Sequence, residues 1–380
     1  MSMLDRAKRF LDRVPLVDGH NDLPWVIRHD AAAKGDVAAY GLDRLHQETD
    51  TDIPRLKAGK VGAQFWAAFV ATEAENPTVK TFEQINLIRR MNDLHADVFL
   101  PATKSSDIAR ARKLGKIASF VSVEGGVGLQ NSIELLDVFY DLGVRYMTLC
   151  HNGTLDWVDS STGERRHGGL TDFGRDVVRR MNHLGMIVDC AHVSPEAAHH
   201  VLDVSVAPIL VTHANAFALC PHERNVPDDL LDRIEANGGV VMATFVPDFL
   251  NRATLEWHTP ILPAIRAAHT SQEMAAIERA HAAKAGPAPR ATLAHVCDHI
   301  EYMAKRMGVN HVGIGSDFYG GTAPEGLEDV SRFPHLIAAL MDRGWGDDAL
   351  EKLASANLVR VFRKVEATSR KLKRQKRKVS

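Results

Sequence analysis

Leu16-Val-Asp-Gly-His-Asn-Asp-Leu-Pro24 is the stretch on which the reading of the fold turns. It is apolar at both ends, polar in the middle, and reads as a β-strand over residues 15–22. Strand side chains alternate between faces, so His20 and Asp22 are expected to point the same way. An imidazole and a carboxylate on one face, near a strand's C-terminal end, can grip one divalent metal ion from one side. Asp18 shares that face one step deeper, where support or packing suits it better than ligation.

Outward from this run, short β-branched stretches alternate with segments of helical period. Further strands are expected at Val61–Val70, Ile117–Glu124, Arg145–His151, Met186–His192, Pro208–His213, Val240–Val246 and His311–Asp317. Helices are expected at Thr81–Phe99, Ser132–Leu142, Asp172–Leu184, Asp228–Asn237, Thr292–Met307 and about Asp347–Val365. Ser194-Pro195 opens another, with serine as N-cap and proline in the first turn. Eight strands alternating with helices predict parallel βα units, and eight is the number that closes a (β/α)8 TIM barrel. An open doubly wound sheet is the rival, but it would gather ligands at one switch point rather than from many strands.

A single barrel domain is expected over residues 1–366. Residues 250–290, Ala-rich and charged with a helix from Thr270 to Lys284, interrupt the rhythm as an insertion on the loop-bearing face. The loop Asn152–Gly169 follows another strand end. Residues 367–380 carry the run Arg370-Lys-Leu-Lys-Arg-Gln-Lys-Arg-Lys378, expected as a solvated, disordered basic tail.

The chain has 380 residues, 45% hydrophobic and 25% charged, the ordinary globular range. A formal net charge of -2 provides no global field toward nucleic acid or membrane, so neither partner is expected. Cys150, Cys190, Cys220 and Cys297 form no C-x-x-C pair and are expected as reduced thiols of a cytoplasmic protein. The first ten residues lack the apolar region of a signal peptide, and no apolar run is long enough for a bilayer span.

The expected strand ends carry His20 and Asp22, Glu124, His151, His192, His213 and Asp317. In a barrel they share one mouth, at the C-terminal face. Two metal ions need about this many ligands, and a carboxylate between them could bridge ions roughly 3.5–4 Å apart. Each residue alone has a plainer reading. A histidine in an apolar strand is commonly a packed core residue, and Asp317 could merely cap the next helix. A buried, unpaired Glu124 is costly, however, and implies a cation. His192 and His213 end consecutive strands at equivalent places, which favours ligation. The other histidines, His167, His183, His199, His200, His222, His295, His299 and His311, are read as surface or core. Gly126/Gly128 and Gly313/Gly315 lack the rest of a dinucleotide fingerprint, and neither a P-loop nor H-E-x-x-H occurs.

Six runs together resemble the renal (membrane) dipeptidase family of zinc peptidases. They are Val17-Asp-Gly-His-Asn-Asp-Leu-Pro-Trp25, Ser122-Val-Glu-Gly-Gly126, Leu149-Cys-His-Asn152, Val188-Asp-Cys-Ala-His-Val-Ser194, the stretch from Val211 to Asp228, and Gly313-Ile-Gly-Ser-Asp-Phe-Tyr-Gly320. The resemblance runs in order from about residue 15 to 365. It implies a (β/α)8 barrel, usually homodimeric, with two Zn²⁺ per subunit. His20 and Asp22 would hold the first, His192 and His213 the second, with Glu124 bridging. His151 would polarise the scissile carbonyl, and Arg224 would bind the substrate's terminal carboxylate. Asp317 would shuttle a proton and meet the substrate's ammonium, and Trp25 would line the substrate site. The implied reaction is hydrolysis of L-Xaa-L-Xaa, and of L-Xaa-D-Xaa, dipeptides by a hydroxide bridging the metals. A lactam, N-acyl amino acid or phosphoester hydrolase, and a non-catalytic metal-binding barrel, are the alternatives. Departures from the family pattern are Tyr319 in place of an aspartate, Ser355-Ala-Asn357 in place of Gly-x-Asn, and Ala191 and Thr212 in place of serines; none falls on an implied ligand.

Overall fold

The computed structural model describes residues 2–46, 49–267 and 271–379. Nine strands form one parallel sheet: β1 (Leu16–Asn21), β2 (Val61–Phe69), β3 (Phe99–Ala102), β4 (Ile117–Glu124), β5 (Val144–Thr148), β6 (Ile187–Asp189), β7 (Leu210–Val211), β8 (Val240–Ala243) and β9 (Val312–Ile314). Eight of them run in the order β1-β2-β4-β5-β6-β7-β8-β9. Helices alternate with the strands, as a (β/α)8 barrel requires.

β3 is a strand the sequence pattern does not predict, the expected helix ending at its first residue, Phe99. The helix there is Pro77–Leu94, and the chain then turns into β3. β4 meets β5 only from Val121 onward, so its first half has a free edge. β3 fills that edge, pairing Phe99–Ala102 with Ile117–Phe120.

The barrel closes through a side chain as much as through a ladder. Asp18 of β1 is wholly buried and accepts hydrogen bonds from Ser316 N at 2.8 Å and Ser316 Oγ at 2.7 Å, just past β9. Gln64 Nε2 of β2 donates to the same carboxylate at 3.0 Å. Backbone bonds from Asp317 N to His20 O and from Asp22 N to Phe318 O extend the seam toward the mouth.

Two apolar layers surround the sheet. Inside, Phe65 stacks on Phe120 at 4.5 Å and leans on Tyr146, with Val17, Ile187, Leu210 and Met242 around them. Leu358, Val361, Phe362 and Val365 belong to the same cluster, so the last helix closes the barrel's inner core. Outside, Trp66, Val123, Met147 and Val241 meet the helical ring. Each fully buried side chain of this size contributes about 1.5–3 kcal/mol.

The last helix corrects the expected tail. Helix Asp347–Glu351 and a π-turn over Lys352–Ala356 lead into Asn357–Val379, so residues 367–379 are helical and only Ser380 lies outside the described residues. Ser369 Oγ donates to His183 O, and Lys373 Nζ to Leu184 O, at the end of the helix Asp172–Leu184. A cation on the free carbonyls of a helix C-terminus is favourable, and this docking holds the basic run in register. Asn357 Nδ2 donates to Val309 O and Val312 O, tying the helix to β9.

The stretch after β8 carries four helices: Pro247–Leu250, Arg252–His258, Leu262–Ala267 and Ser271–Ala285. Thr270, the expected start of the last, lies outside the described residues. All four cysteines are buried and unpaired. Among the described residues no helix is long and apolar enough to cross a membrane.

One glycine tests the closure directly. A Cβ at Gly315 would stand 1.7 Å from the carbonyl oxygen of Thr212, a backbone atom with no room to retreat. Gly315→Ala is expected to cost about 1–3 kcal/mol or more in denaturant unfolding, as overpacking does. Gly346→Ala, where a Cβ meets nothing within 4 Å, should stay within about 0.5 kcal/mol.

Candidate metal centre

Two of the candidate ligands lie on strands and the others just past strand ends. Glu124 is the last residue of β4, and His20 lies one residue before the end of β1. His151, His192, His213 and Asp317 stand two or three residues beyond β5, β6, β7 and β9. His192 at φ 67° and Asp317 at φ 59° are left-handed, which no extended strand allows. Such strain is commonly held at functional sites. Loop 152–170 braces His192, with Ser161 N donating to His192 O at 2.7 Å, and also His151, with Ser160 Oγ donating to His151 O at 2.7 Å.

His20 and Asp22 converge, but not by strand alternation. β1 has an irregular register between Asp18 and Asn21, and Asp22 has left the strand to head the helix Leu23–His29. His20 Nε2 still lies 3.4 Å from Asp22 Oδ2.

The two oxygens of Glu124 face different groups. Oε2 lies 3.5 Å from His20 Nε2. Oε1 lies 3.1 Å from His192 Nε2, 3.5 Å from His213 Nε2 and 3.9 Å from His151 Nε2. Asp317 Oδ1 closes the first side at 3.9 Å from His20 Nε2. Three overlapping triads result, each with donor atoms within 4.8 Å of one another: His20/Asp22/Asp317, His20/Glu124/His213 and Glu124/His151/His192.

Three imidazoles are oriented from behind. Tyr146 OH donates to Gly19 O at 2.9 Å, so at 2.9 Å from His20 Nδ1 it can only accept. Thr212 Oγ1 donates to Asp189 at 2.7 Å and, in the same way, accepts from His213 Nδ1 at 2.9 Å. Asn152 Oδ1 lies 3.2 Å from His192 Nδ1. Each arrangement puts the ring proton on Nδ1 and leaves the Nε2 lone pair facing the cluster. Asp189, wholly buried, also accepts from Thr148 Oγ1 at 2.6 Å. Sequence reading missed Tyr146, Asn152 and Asp189. Asn152, next to His151, was the one with a local signal; Tyr146 is 126 residues from its partner.

Electrostatics fit a cationic guest. Burial, then the Arg224 guanidinium, holds His151 down at about 3 and His192 well below the ordinary imidazole value. Burial, then His20 and Arg224, does the same to His213. These rings are neutral, as metal ligation requires. Burial and carboxylate repulsion raise Asp22 and Asp317 above the usual carboxylate range. Burial opposes charge on His20, but the Tyr146 oxygen, Glu124 and Asp22 outweigh it and lift its pKa well up. Protons thus gather where positive charge is needed. Among the described residues His20 Nε2, His213 Nε2 and Asp22 Oδ1 are buried with no hydrogen-bond partner, an expensive state unless a cation meets them. The donor set of imidazole and carboxylate suits divalent transition ions.

Arg224 and Trp25 flank this cluster. Arg224 is buried, with its guanidinium 5.4 Å from the Phe249 ring, and burial lowers its pKa against the pull of Asp317 and Glu124. Trp25 packs tilted against Phe69 at 4.8 Å, and Phe69 against His151 at 4.4 Å, so the indole stands one ring away from the cluster. Tyr319 turns from it, its hydroxyl accepting from Thr51 N at 2.8 Å.

Comparison with known proteins matches this architecture. The family described as Membrane dipeptidase (Peptidase family M19) matches residues 4–376. Dipeptidase tcpJ of Claviceps purpurea (strain 20.1) is 38% identical over 365 residues, 92% of this chain and 76% of its own. Dipeptidase aclJ of Aspergillus oryzae is 36% identical over 378 residues, 96% of this chain and 81% of its own. Among solved structures, the probable dipeptidase PvdM from Pseudomonas aeruginosa shares the fold with a TM-score of 0.84 at 24% identity, over 96% of this chain and 99% of that one. A metallo peptidase from Rhodobacter sphaeroides, solved with a phosphinate mimic of the dipeptide L-Ala-D-Ala, gives 0.76 at 22% identity, over 93% and 99%. The chain therefore belongs to the membrane dipeptidase family, peptidase family M19.

Proposed function

We propose that this metallopeptidase hydrolyses dipeptides, of the L-Xaa-L-Xaa and L-Xaa-D-Xaa types, with two zinc ions at the barrel mouth. His20 and Asp22 would hold one ion, His192 and His213 the other, and Glu124 both. The observation that carries this reading is the split of Glu124, with Oε2 toward His20 and Oε1 toward His192 and His213. When bound, such a pair of ions supplies Lewis acidity and a water activated near neutral pH.

The chain's own groups do the rest. His151, neutral at working pH, donates a hydrogen bond to the scissile carbonyl oxygen as charge develops there. Asp317, poised by burial to hold a proton, takes one from the attacking water and passes it to the leaving amine nitrogen. Its carboxylate also meets the substrate's ammonium. Arg224 receives the terminal carboxylate, and a buried guanidinium gains most from a bidentate anionic partner. Opposite charges at the two ends select a dipeptide over a longer chain. Trp25 lines the approach. A homodimer in the cytoplasm accompanies this reading, supported by the family resemblance and four unpaired cysteines; light scattering should return twice 41.8 kDa.

Glu124→Gln should reduce kcat/KM for a dipeptide such as Ala-Ala by at least about 10²-fold, with the zinc content measured by elemental analysis falling below two per chain. Full activity in that variant overturns the reading. Arg224→Met removes a charged partner and should cost about 2–5 kcal/mol in kcat/KM for free dipeptides, and little for their C-terminal amides. Thr212→Val deprives His213 of its acceptor and should weaken zinc retention about 10–100-fold in a chelator competition, with the fold intact by circular dichroism.

A further inference from the structure

A second cavity of about 310 Å³ opens beside the metal cluster, between the insertion and the loop after β9. Val246, Thr254, Trp257, Pro289 and Ala323 form its walls, and Gly320 forms its edge on the cluster side. Gly320 is the link between the two spaces. A Cβ there would stand 2.7 Å from Asp317 Oδ1 and 2.8 Å from Oδ2, so the glycine backbone lies against the carboxylate while also lining the cavity. On the other side, the short helix Pro247–Leu250 turns Asp248 to the cavity and Phe249 to Arg224.

Several of the wall's polar groups are already engaged. Thr254 Oγ1 donates to Pro289 O at 2.8 Å, and Trp257 Nε1 to Gly286 O at 3.0 Å. His258 is clamped by Asp248 at 2.7 Å and Glu278 at 3.7 Å. Arg290, the remaining charged residue of the lining, is exposed at the rim. A charged ligand group would compete with contacts the wall already makes, whereas an apolar one would lose only water.

We infer that this cavity is the pocket for a bulky, uncharged side chain on the substrate's N-terminal residue, and that the insertion sets the enzyme's preference for such residues. The inference rests on the dipeptidase reading, in which Asp317 meets the substrate's ammonium. The α-carbon bearing that ammonium lies next to Gly320, and its side chain enters the cavity. The volume is at the small end for ligand pockets, which fits one side chain rather than a longer peptide.

The test compares Phe-Ala and Leu-Ala with Gly-Ala as substrates of the zinc-loaded full chain. The wild type should favour the bulky N-terminal residues by about 10-fold or more in kcat/KM. Ala323→Trp, which fills the cavity, should lower kcat/KM for Phe-Ala by about 10–100-fold and leave Gly-Ala unchanged. Retained Gly-Ala hydrolysis reports that the variant is folded. Trp257→Ala, which removes a wall instead, should raise KM for Phe-Ala and spare Gly-Ala. Equal rates on all three dipeptides in the wild type, or a uniform loss in both variants, overturns the pocket while the dipeptidase reading stands. Hydrolysis of no dipeptide by the wild type overturns that reading and the pocket with it.

Discussion

The Asp18 carboxylate, sealed between β1, β2 and the turn after β9, is the constraint on which the rest depends. It joins positions 298 residues apart. A buried carboxylate without donors would be costly, and here two bonds from Ser316 and one from Gln64 satisfy it. Burial still pulls its pKa up against those bonds. The bonds cannot form unless the first and last strands are adjacent, so the barrel and the hydrogen bonds require each other. Closing the seam carries His20 and Asp22 to Asp317 and Glu124, which no local feature of the chain could do.

Above that seam the mouth is built as a charge problem with a prepared answer. Three carboxylates and four imidazoles meet in a buried space. Isolated, such a set would be expelled or neutralised by protons, and the raised pKa values of Asp22 and Asp317 show that pressure. Hydroxyl and amide oxygens behind His20, His213 and His192 fix each ring's proton away from the centre. Burial, and then Arg224, pushes the pKa values of His151 and His192 the other way, down. Together the contacts behind His20, His213 and His192 turn the three Nε2 atoms toward the cluster, as ligation would require.

The two ends of the barrel divide labour. Below, Phe362 and its neighbours on the last helix seal the inner aromatic core, so that end contributes stability. Above, the 152–170 loop braces two strained or ligand-bearing positions, and the insertion after β8 builds a second cavity against Asp317. Variation in these loops can change what the mouth accepts without disturbing the sealed end.

Sequence alone determined the eight barrel strands, because β-branched runs and helical periods are local signals, and it determined which side chains stand near strand ends. It could not foresee β3, since that strand exists only because β4 has an unpaired edge. The basic run at the end looked like a solvated tail and is a helix because Ser369 and Lys373 find the carbonyls of a distant helix. His20 and Asp22 were paired by strand alternation, whereas the structure pairs them through an irregular β1 and a helix entry. Tyr146 and Asp189 became visible as supports only in three dimensions. Residue types and periodicity are written along the chain, but convergence of side chains from distant positions depends on barrel closure, and that is a property of the folded whole.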